Sequence, residues 1–424
     1  MESLPELLTK YGYPLYLYEE TRVAAQLARL QASLPDFGVL YSVKTNPHPA
    51  ICRFMSNNGT GADAASGAEV DHALAAGFPA DKIYYSAPGK SGKDLRSAFG
   101  SCVLTADSYH ELELINALAA EAGRVEPVGL RINPAIAFGA GPFPELLPGA
   151  AAKFGVDEEG LAERKAFIDS LTNIRVCGFH VFLRSQVLSH SVLLAYCRHI
   201  FSLARSWAGI FGHGPEFINF GGGFGIACGE WKTPLDLDSM GAELKILVRE
   251  HKTFLPNNLS LFIESGRFLV AEAGIFITRI EDVKESRGTC YVIAPGGLNG
   301  FLRPAVMALL GGLPAAVSGP LEPLYSNASA HIVSLHEGNG RTKKKVSVVG
   351  NLCTTLDLIA KDILLPEPKV GDILLISNAG AYSATLSPYA FAGFPRPLEL
   401  YRDSKGQIAD NTGGALNHQG RTIS

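Results

Sequence analysis

Eight short apolar segments alternate with helical patterns between residues 37 and 267, and this rhythm is the strongest constraint on the fold. The strand candidates are FGVLYSVK (37–44), GTGADAAS (59–66), KIYYSA (82–87), CVLTADS (102–108), PVGLRINP (127–134), RVCGFHVFL (175–183), FINFGGGFG (217–225) and LSLFIESGR (259–267). The segments between them are rich in Ala, Leu and Glu, which favour helices. Eight strand–helix units over about 230 residues predict a (β/α)8 TIM barrel, with a doubly wound open sheet as the alternative.

The pattern changes beyond residue 267. Runs such as IFITRIED and GDILLISNAGAYS are joined by Gly and Pro turns, with few long helices between them. This is typical of a second, mostly antiparallel β domain, and the N-terminal segment YGYPLYLYEE is expected to pair with it. We therefore predict a barrel over residues 25–267 and a discontinuous β domain over residues 1–24 plus 268–424. A long loop is expected within 308–345.

Composition and charge argue against several classes of protein. The 424 residues are 47% hydrophobic and 18% charged, with a net charge of −4, so there is no electrostatic case for binding nucleic acid or anionic lipid. No run of 18 apolar residues predicts a membrane span. The first ten residues, MESLPELLTK, carry two glutamates and no positive n-region, so no signal peptide is expected. Seven cysteines without a CxxC pair favour reduced thiols in a cytoplasmic protein over disulfides or a metal site.

Polar residues end several of the predicted strands, which is where barrel enzymes carry their active sites. Lys44 ends the first strand, Asp63 the second, Arg131 the fifth, His180 the sixth and Glu264 the eighth. Taken alone, a lysine in such a place can simply keep its ammonium in water. The combination of residues at one barrel end carries more information than any member.

A glycine run, GGGFG at 221–225, follows the seventh strand and could let backbone N–H groups approach an oxyanion. It is not a dinucleotide fingerprint, because Ile226 stands where the last glycine is needed. APGKSGK is not a P-loop either, because Tyr84 stands where the first glycine is needed. A lysine, a glycine run and a buried acidic residue together suit pyridoxal phosphate, which needs an amine, a phosphate cradle and a partner for its pyridine nitrogen.

The sequence resembles the fold-type III pyridoxal-phosphate decarboxylases, the family of diaminopimelate, ornithine and arginine decarboxylases, over nearly the whole chain. The motifs that carry the resemblance, in order, are YSVKTN, GADAASGAEV, YYSAPGKS, GLRINP, KFGV, GFHVFLRSQ, FINFGGGFG, ESGR, GNLCTTLD and NAGAY. The resemblance implies a barrel of the alanine-racemase type followed by a β domain, which agrees with the strand count.

Residue roles follow from the resemblance. Lys44 would bond to the cofactor, and Glu264, with Arg131 against it, would keep the pyridine nitrogen protonated. Cys353 would donate a proton to the substrate across the interface of a homodimer with shared active sites. The other cofactor contacts implied are Asp63, His180, Phe182, Ser185, Gly221, Gly222, Gly223, Arg267 and Tyr382. The implied substrate contacts are Arg303, Thr354 and Asp357.

Several positions depart from the pattern of diaminopimelate decarboxylases, and three of them bear on the cofactor and the substrate. Phe182 replaces a histidine that stacks on the cofactor, Arg184 replaces a glycine, and Thr354 replaces an acidic residue that helps to select the substrate. CTxxD with GFHVF resembles a subgroup acting in specialised pathways, including carrier-protein-linked glutamyl decarboxylases. We expect α-decarboxylation of a small-molecule or carrier-linked amino acid. The alternatives are diaminopimelate decarboxylase, a racemase-like enzyme, and a regulatory protein that binds the cofactor without turnover.

Overall fold

A computed structural model describes residues 2–136, 151–182, 184–227, 233–251, 255–311 and 331–410. Within these ranges the strands are β1 (Leu15–Glu19), β2 (Gly38–Ser42), β3 (Gly61–Ala64), β4 (Ile83–Ser86), β5 (Val103–Ala106), β6 (Glu126–Asn133), β7 (Val156–Asp157), β8 (Ile174–His180), β9 (Phe217–Asn219), β10 (Ser260–Ser265), β11 (Gly274–Arg279), β12 (Asp282–Ser286), β13 (Thr289–Ile293), β14 (Val333–Leu335), β15 (Lys343–Val349), β16 (Leu358–Pro366), β17 (Ile373–Ile376), β18 (Leu398–Arg402) and β19 (Ile408–Asp410).

The helices of the described ranges are α1 (Leu4–Tyr11), α2 (Glu20–Ser33), α3 (Pro49–Asn57), α4 (Gly67–Ala75), α5 (Gly92–Ala98), α6 (Tyr109–Glu121), α7 (Lys165–Ser170), α8 (His190–Phe211), α9 (Leu237–His251), α10 (Arg267–Val270) and α11 (Leu302–Gly311). In this part of the chain, no helix combines the length and the apolar character needed to span a membrane. Residues 312–330, within the predicted long loop, lie outside the described residues.

Eight parallel strands close into a barrel in the order β2, β3, β4, β5, β6, β8, β9, β10, with β10 pairing back to β2. All eight were predicted from the sequence, so the barrel is confirmed and the open sheet is wrong. Leu40, Tyr84, Cys177 and Phe217 come from four different strands and form one buried apolar cluster. Because the strands are parallel, their carboxyl ends meet at one end of the barrel.

The chain divides into two compact units. The barrel unit comprises Leu27–Gly225 and Leu235–Gly266, and the second unit comprises Met1–Gln26, Ile226–Pro234 and Arg267–Ser424.

The second unit contains two sheets, with strand orders β14-β17-β11-β1-β18-β19 and β12-β13-β15-β16. Among the pairings of the described strands in this unit, only β1–β18 and β13–β15 are parallel, so the predicted mostly antiparallel domain is confirmed. The N-terminal strand β1 lies between β11 and β18 in the first sheet. Leu7 and Leu8 of α1 share a buried apolar cluster with Leu15, Ile277 and Leu400, so the amphipathic first helix covers this sheet.

Candidate active site

Lys44 lies in a single 3-10 turn, Val43–Thr45, immediately after β2. Its Nζ contacts the Oδ2 of Asp63, at the end of the neighbouring strand β3. Asp63 is buried, and its Oδ1 accepts a hydrogen bond of 3.3 Å from the Ser86 hydroxyl on β4. The lysine side chain remains 41% exposed. The amine is therefore both held by a carboxylate and accessible to a ligand.

Glu264, on β10, is a buried carboxylate at the same end of the barrel. Its Oε1 accepts a hydrogen bond of 2.8 Å from Asn219 Nδ2 and lies 3.2 Å from His180 Nε2. Burial, and secondarily the charge of Asp63, raise the pKa of Glu264 to about 7. A cationic group next to this carboxylate would favour its ionised form.

His180 ends β8 and is 2% exposed. Burial and the positive charges of Arg131, Lys44 and Lys90 hold the pKa of His180 well below its ordinary range. The imidazole is therefore neutral at pH 7. Neither of its ring nitrogens makes a hydrogen bond within the described part of the chain. A buried, neutral and incompletely bonded ring suits a second planar polar group placed against it.

The glycine run turns sharply after β9. Gly221 and Gly223 have φ values of +63° and +107°, which disfavour other residues. A Cβ on Gly223 would lie 2.2 Å from the Arg184 carbonyl oxygen, and one on Gly221 would lie 3.2 Å from the Phe182 ring. No hydrogen bond from the amides of Gly222 or Gly223 is found among the described residues. The turn thus offers two N–H groups to an anion.

Asn219 connects these features, and sequence reasoning missed it. Its Nδ2 donates to Glu264, and its Oδ1 accepts a hydrogen bond of 2.9 Å from the Gly221 amide. One side chain therefore orients both the buried carboxylate and the start of the glycine run. The available signal was an asparagine inside the otherwise apolar strand β9, where a buried amide requires partners.

Arg131, predicted to lie against Glu264, forms an ion pair with Asp107, and its positive charge also acts to lower the pKa of Glu264. Its Nη1 lies 3.4 Å from Asp107 Oδ1, and its guanidinium stacks on Phe154 at 4.4 Å from the ring centroid. Asp107 Oδ2 accepts a hydrogen bond from the Gly155 amide, so the carboxylate sits between two segments. This pairing joins residues 24 positions apart in sequence, and the role of Arg131 beside Glu264 stays a prediction.

The remaining predicted residues divide between the two units. Phe182 and Ser185 are half-buried residues of the barrel unit, and the Phe182 ring lies next to Gly221. In the second unit, Arg267 stacks on Tyr382 at 5.0 Å, and Arg303 of α11 is only 1% exposed. Cys353 is exposed, whereas Cys52, Cys102, Cys177, Cys197 and Cys290 are buried. Cys353, Thr354 and Asp357 share the loop between β15 and β16.

The residues of the barrel end fit pyridoxal phosphate. They provide an accessible lysine amine, a buried carboxylate, a buried neutral imidazole whose ring nitrogens make no hydrogen bond among the described residues, and backbone amides at a glycine turn. Each matches one part of the cofactor: the aldehyde, the pyridine nitrogen, the ring face and the phosphate.

Comparison with known proteins gives the same answer. Residues 20–271 match the family described as "Pyridoxal-dependent decarboxylase, pyridoxal binding domain". The L-glutamyl-[BtrI acyl-carrier protein] decarboxylase of Niallia circulans is 29% identical over 405 residues, covering 94% of this chain and 91% of that protein. The diaminopimelate decarboxylase of Methanothermobacter thermautotrophicus is 30% identical over 411 residues, covering 95% and 90%. The crystal structure of diaminopimelate decarboxylase from M. jannaschii with L-lysine is similar with a TM-score of 0.83, at 26% identity and with coverage of 96% and 90%.

Fold and site thus define a pyridoxal-phosphate enzyme built on a barrel and a β domain. The chain belongs to the pyridoxal-dependent decarboxylases, so it is a carboxy-lyase that uses pyridoxal phosphate and acts on an amino acid or an amino-acid derivative. The predictions of family, fold class, reaction and cofactor are confirmed. The roles of individual residues and the choice of substrate remain predictions.

Proposed function

We propose that this decarboxylase acts on an amino acid whose side chain ends in an amide or thioester carbonyl, either free or tethered to a carrier. The observation that carries the proposal is Thr354, next to Cys353. Its Oγ1 accepts the Leu356 amide at 3.3 Å, which leaves the hydroxyl proton free to be donated. A neutral donor suits a carbonyl oxygen, whereas the distal ammonium of lysine, ornithine or diaminopimelate would call for a carboxylate.

The proposed roles within the barrel unit use side chains whose surroundings are described above. Lys44 would hold the cofactor through Nζ, Glu264 would keep its ring nitrogen protonated, and the amides of Gly222 and Gly223 would bind its phosphate. When bound, pyridoxal phosphate supplies the electron-withdrawing ring that stabilises negative charge at the substrate α carbon. Asn219 would keep Glu264 oriented, and neutral His180 would pack on the ring without adding charge.

We further propose that Cys353 returns a proton to the α carbon after CO2 leaves. Its exposure supports this role, because a donor must reach a ligand, whereas the five buried thiols named above cannot. Following the family resemblance, we propose that the cysteine acts in the active site of a second copy, so that the enzyme is a homodimer.

The two relatives compared above are named for different substrates, which suggests two choices of substrate for this enzyme. The Niallia circulans protein is named for a glutamyl group attached to an acyl-carrier protein. Diaminopimelate is the second candidate, favoured by the buried Arg303, a cation that could bind a distal carboxylate. The two substrates differ in the charge of the distal group, which makes them separable by assay.

CO2 release should be measured for L-glutamate, γ-glutamyl ethylamide, L-ornithine and meso-diaminopimelate with the cofactor-loaded protein. We expect kcat/KM for the ethylamide to exceed that of each charged substrate by about 10-fold or more, since an unpaired charge in a closed site is strongly disfavoured. Thr354→Val should lower turnover of the ethylamide, and Thr354→Asp should shift preference toward ornithine. Efficient decarboxylation of free meso-diaminopimelate would overturn the proposal in favour of the second candidate.

A further inference from the structure

Asp357 was expected to contact substrate, but its carboxylate is already engaged within its own unit. The residue is 3% exposed. Oδ1 accepts a hydrogen bond of 2.5 Å from the Leu298 amide, and Oδ2 accepts one of 2.7 Å from the Leu352 amide. The main chain adds a third link, because the Gly350 amide donates to the Asp357 carbonyl at 2.9 Å. Asp357, at the end of its loop, is therefore bonded both to the start of that loop, at Gly350 and Leu352, and to the distant turn that contains Leu298.

The backbone around this carboxylate is shaped to admit it. A Cβ on Gly297 would lie 1.9 Å from Asp357 Oδ1, and a Cβ on Gly350 would lie 2.1 Å from Oδ2. Any side chain at either position would displace the carboxylate. Among the described residues no basic side chain forms an ion pair with Asp357, so the amides are what offset the burial of its charge.

The two amides lie next to residues with proposed functions. Leu352 directly precedes Cys353, the proposed proton donor, and Leu298 lies in the turn that leads into α11, which carries the buried Arg303. Three other hydrogen bonds within the loop that holds Cys353 are short-range: the Asp357 amide donates to the Thr354 carbonyl at 3.3 Å, the Leu356 amide to Thr354 Oγ1 at 3.3 Å, and the Leu358 amide to the Leu356 carbonyl at 2.8 Å. Without the carboxylate, the cysteine would be connected to the rest of the unit mainly through the ends of β15 and β16.

We propose that Asp357 is a positioning residue whose carboxylate fixes the Cys353 loop against the turn at 297–300, and that it does not bind substrate. The inference rests on the proposed role of Cys353 as proton donor. It predicts that losing the carboxylate slows the step that needs the thiol while leaving substrate affinity nearly intact.

Asp357→Asn is the variant to test, because asparagine has the same shape but can accept only one of the two amides. The matched control is Asp362→Asn, which removes an exposed charge from the same β15–β16 hairpin. We expect kcat of Asp357→Asn to fall about 10-fold or more with KM changed less than about twofold, and the control to behave as wild type. In a Cys353→Ala background the same change should cost less than about twofold further, since the two residues act as a unit.

Two measurements separate this inference from the proposed function. The alkylation rate of Cys353 by iodoacetamide, followed by peptide mass spectrometry against the buried cysteines, should change about fivefold or more in Asp357→Asn, whether or not the thiol is catalytic. Hydrogen exchange of wild-type protein should show the Leu298 and Leu352 amides protected, which needs no variant to fold. Unprotected amides, an unchanged alkylation rate, or a rise in KM with kcat unchanged would each overturn the proposal.

Discussion

Lys90 and Glu111 form a buried ion pair, and we expect the free energy of unfolding of the barrel to fall strongly when one partner is removed. Lys90 Nζ lies 2.7 Å from Glu111 Oε2, and the two side chains are 0% and 3% exposed. The ammonium also donates to the carbonyls of Ala87 and Thr105 at 2.7 and 2.8 Å. Glu111 accepts the amides of Lys90 and Asp107 at 2.9 and 2.8 Å, so the pair joins the ends of β4 and β5 to the start of α6.

Lys90→Met should be strongly destabilising, because methionine fills much of the volume but strands the Glu111 charge and two carbonyls. Removing one partner of a buried pair typically costs about 3–5 kcal/mol. For a unit of this size, that loss corresponds to a Tm lower by roughly 6–20 °C. Thermal unfolding of the cofactor-free protein, followed by circular dichroism, measures the shift.

The matched control is the ion pair between Arg96 and Glu121, which has a similar N–O distance of 2.6 Å but side chains 63% and 58% exposed. Water screens this pair, so Arg96→Met should leave Tm nearly unchanged. Adding Glu111→Gln to Lys90→Met removes the stranded charge and should restore at least about 1 kcal/mol. The reasoning is refuted if Lys90→Met lowers Tm no more than Arg96→Met does.

Two further predictions concern the active site. Because the pKa of Glu264 is raised from 4.5 to about 7, the stability that its bound proton contributes to the cofactor-free protein is full below pH 4.5 and is lost as pH rises through 7. Glu264→Gln should remove that pH dependence of Tm, and a difference between variant and wild type that stays constant from pH 5 to 8 would contradict it. For the shared-site homodimer, mixing Lys44→Ala with Cys353→Ala subunits, each strongly impaired on its own, should restore activity through one intact site per heterodimer. Absence of rescue after verified subunit exchange would count against shared sites.

The sequence by itself determined the architecture. Strand and helix signals depend on the apolar pattern within some ten residues, and eight alternations of that pattern leave few folds other than a closed barrel. Because parallel strands all point one way, the polar residues that end them were also assigned correctly to one end of the barrel. Lys44, Glu264 and the glycine run could thus be proposed as a cofactor site from their residue types and strand positions.

Only the tertiary structure decided which partner each polar residue takes. Asn219 and Glu264 are 45 residues apart, and Arg131 and Asp107 are 24 apart. Asp357 accepts a hydrogen bond from the amide of Leu298, which lies 59 residues away. Such pairings depend on strand register and on where loops cross, and a buried carboxylate binds whichever donor the backbone brings within about 3 Å. No local pattern encodes that distance, so the sequence indicated which residues matter, while the folded chain determined what each one contacts.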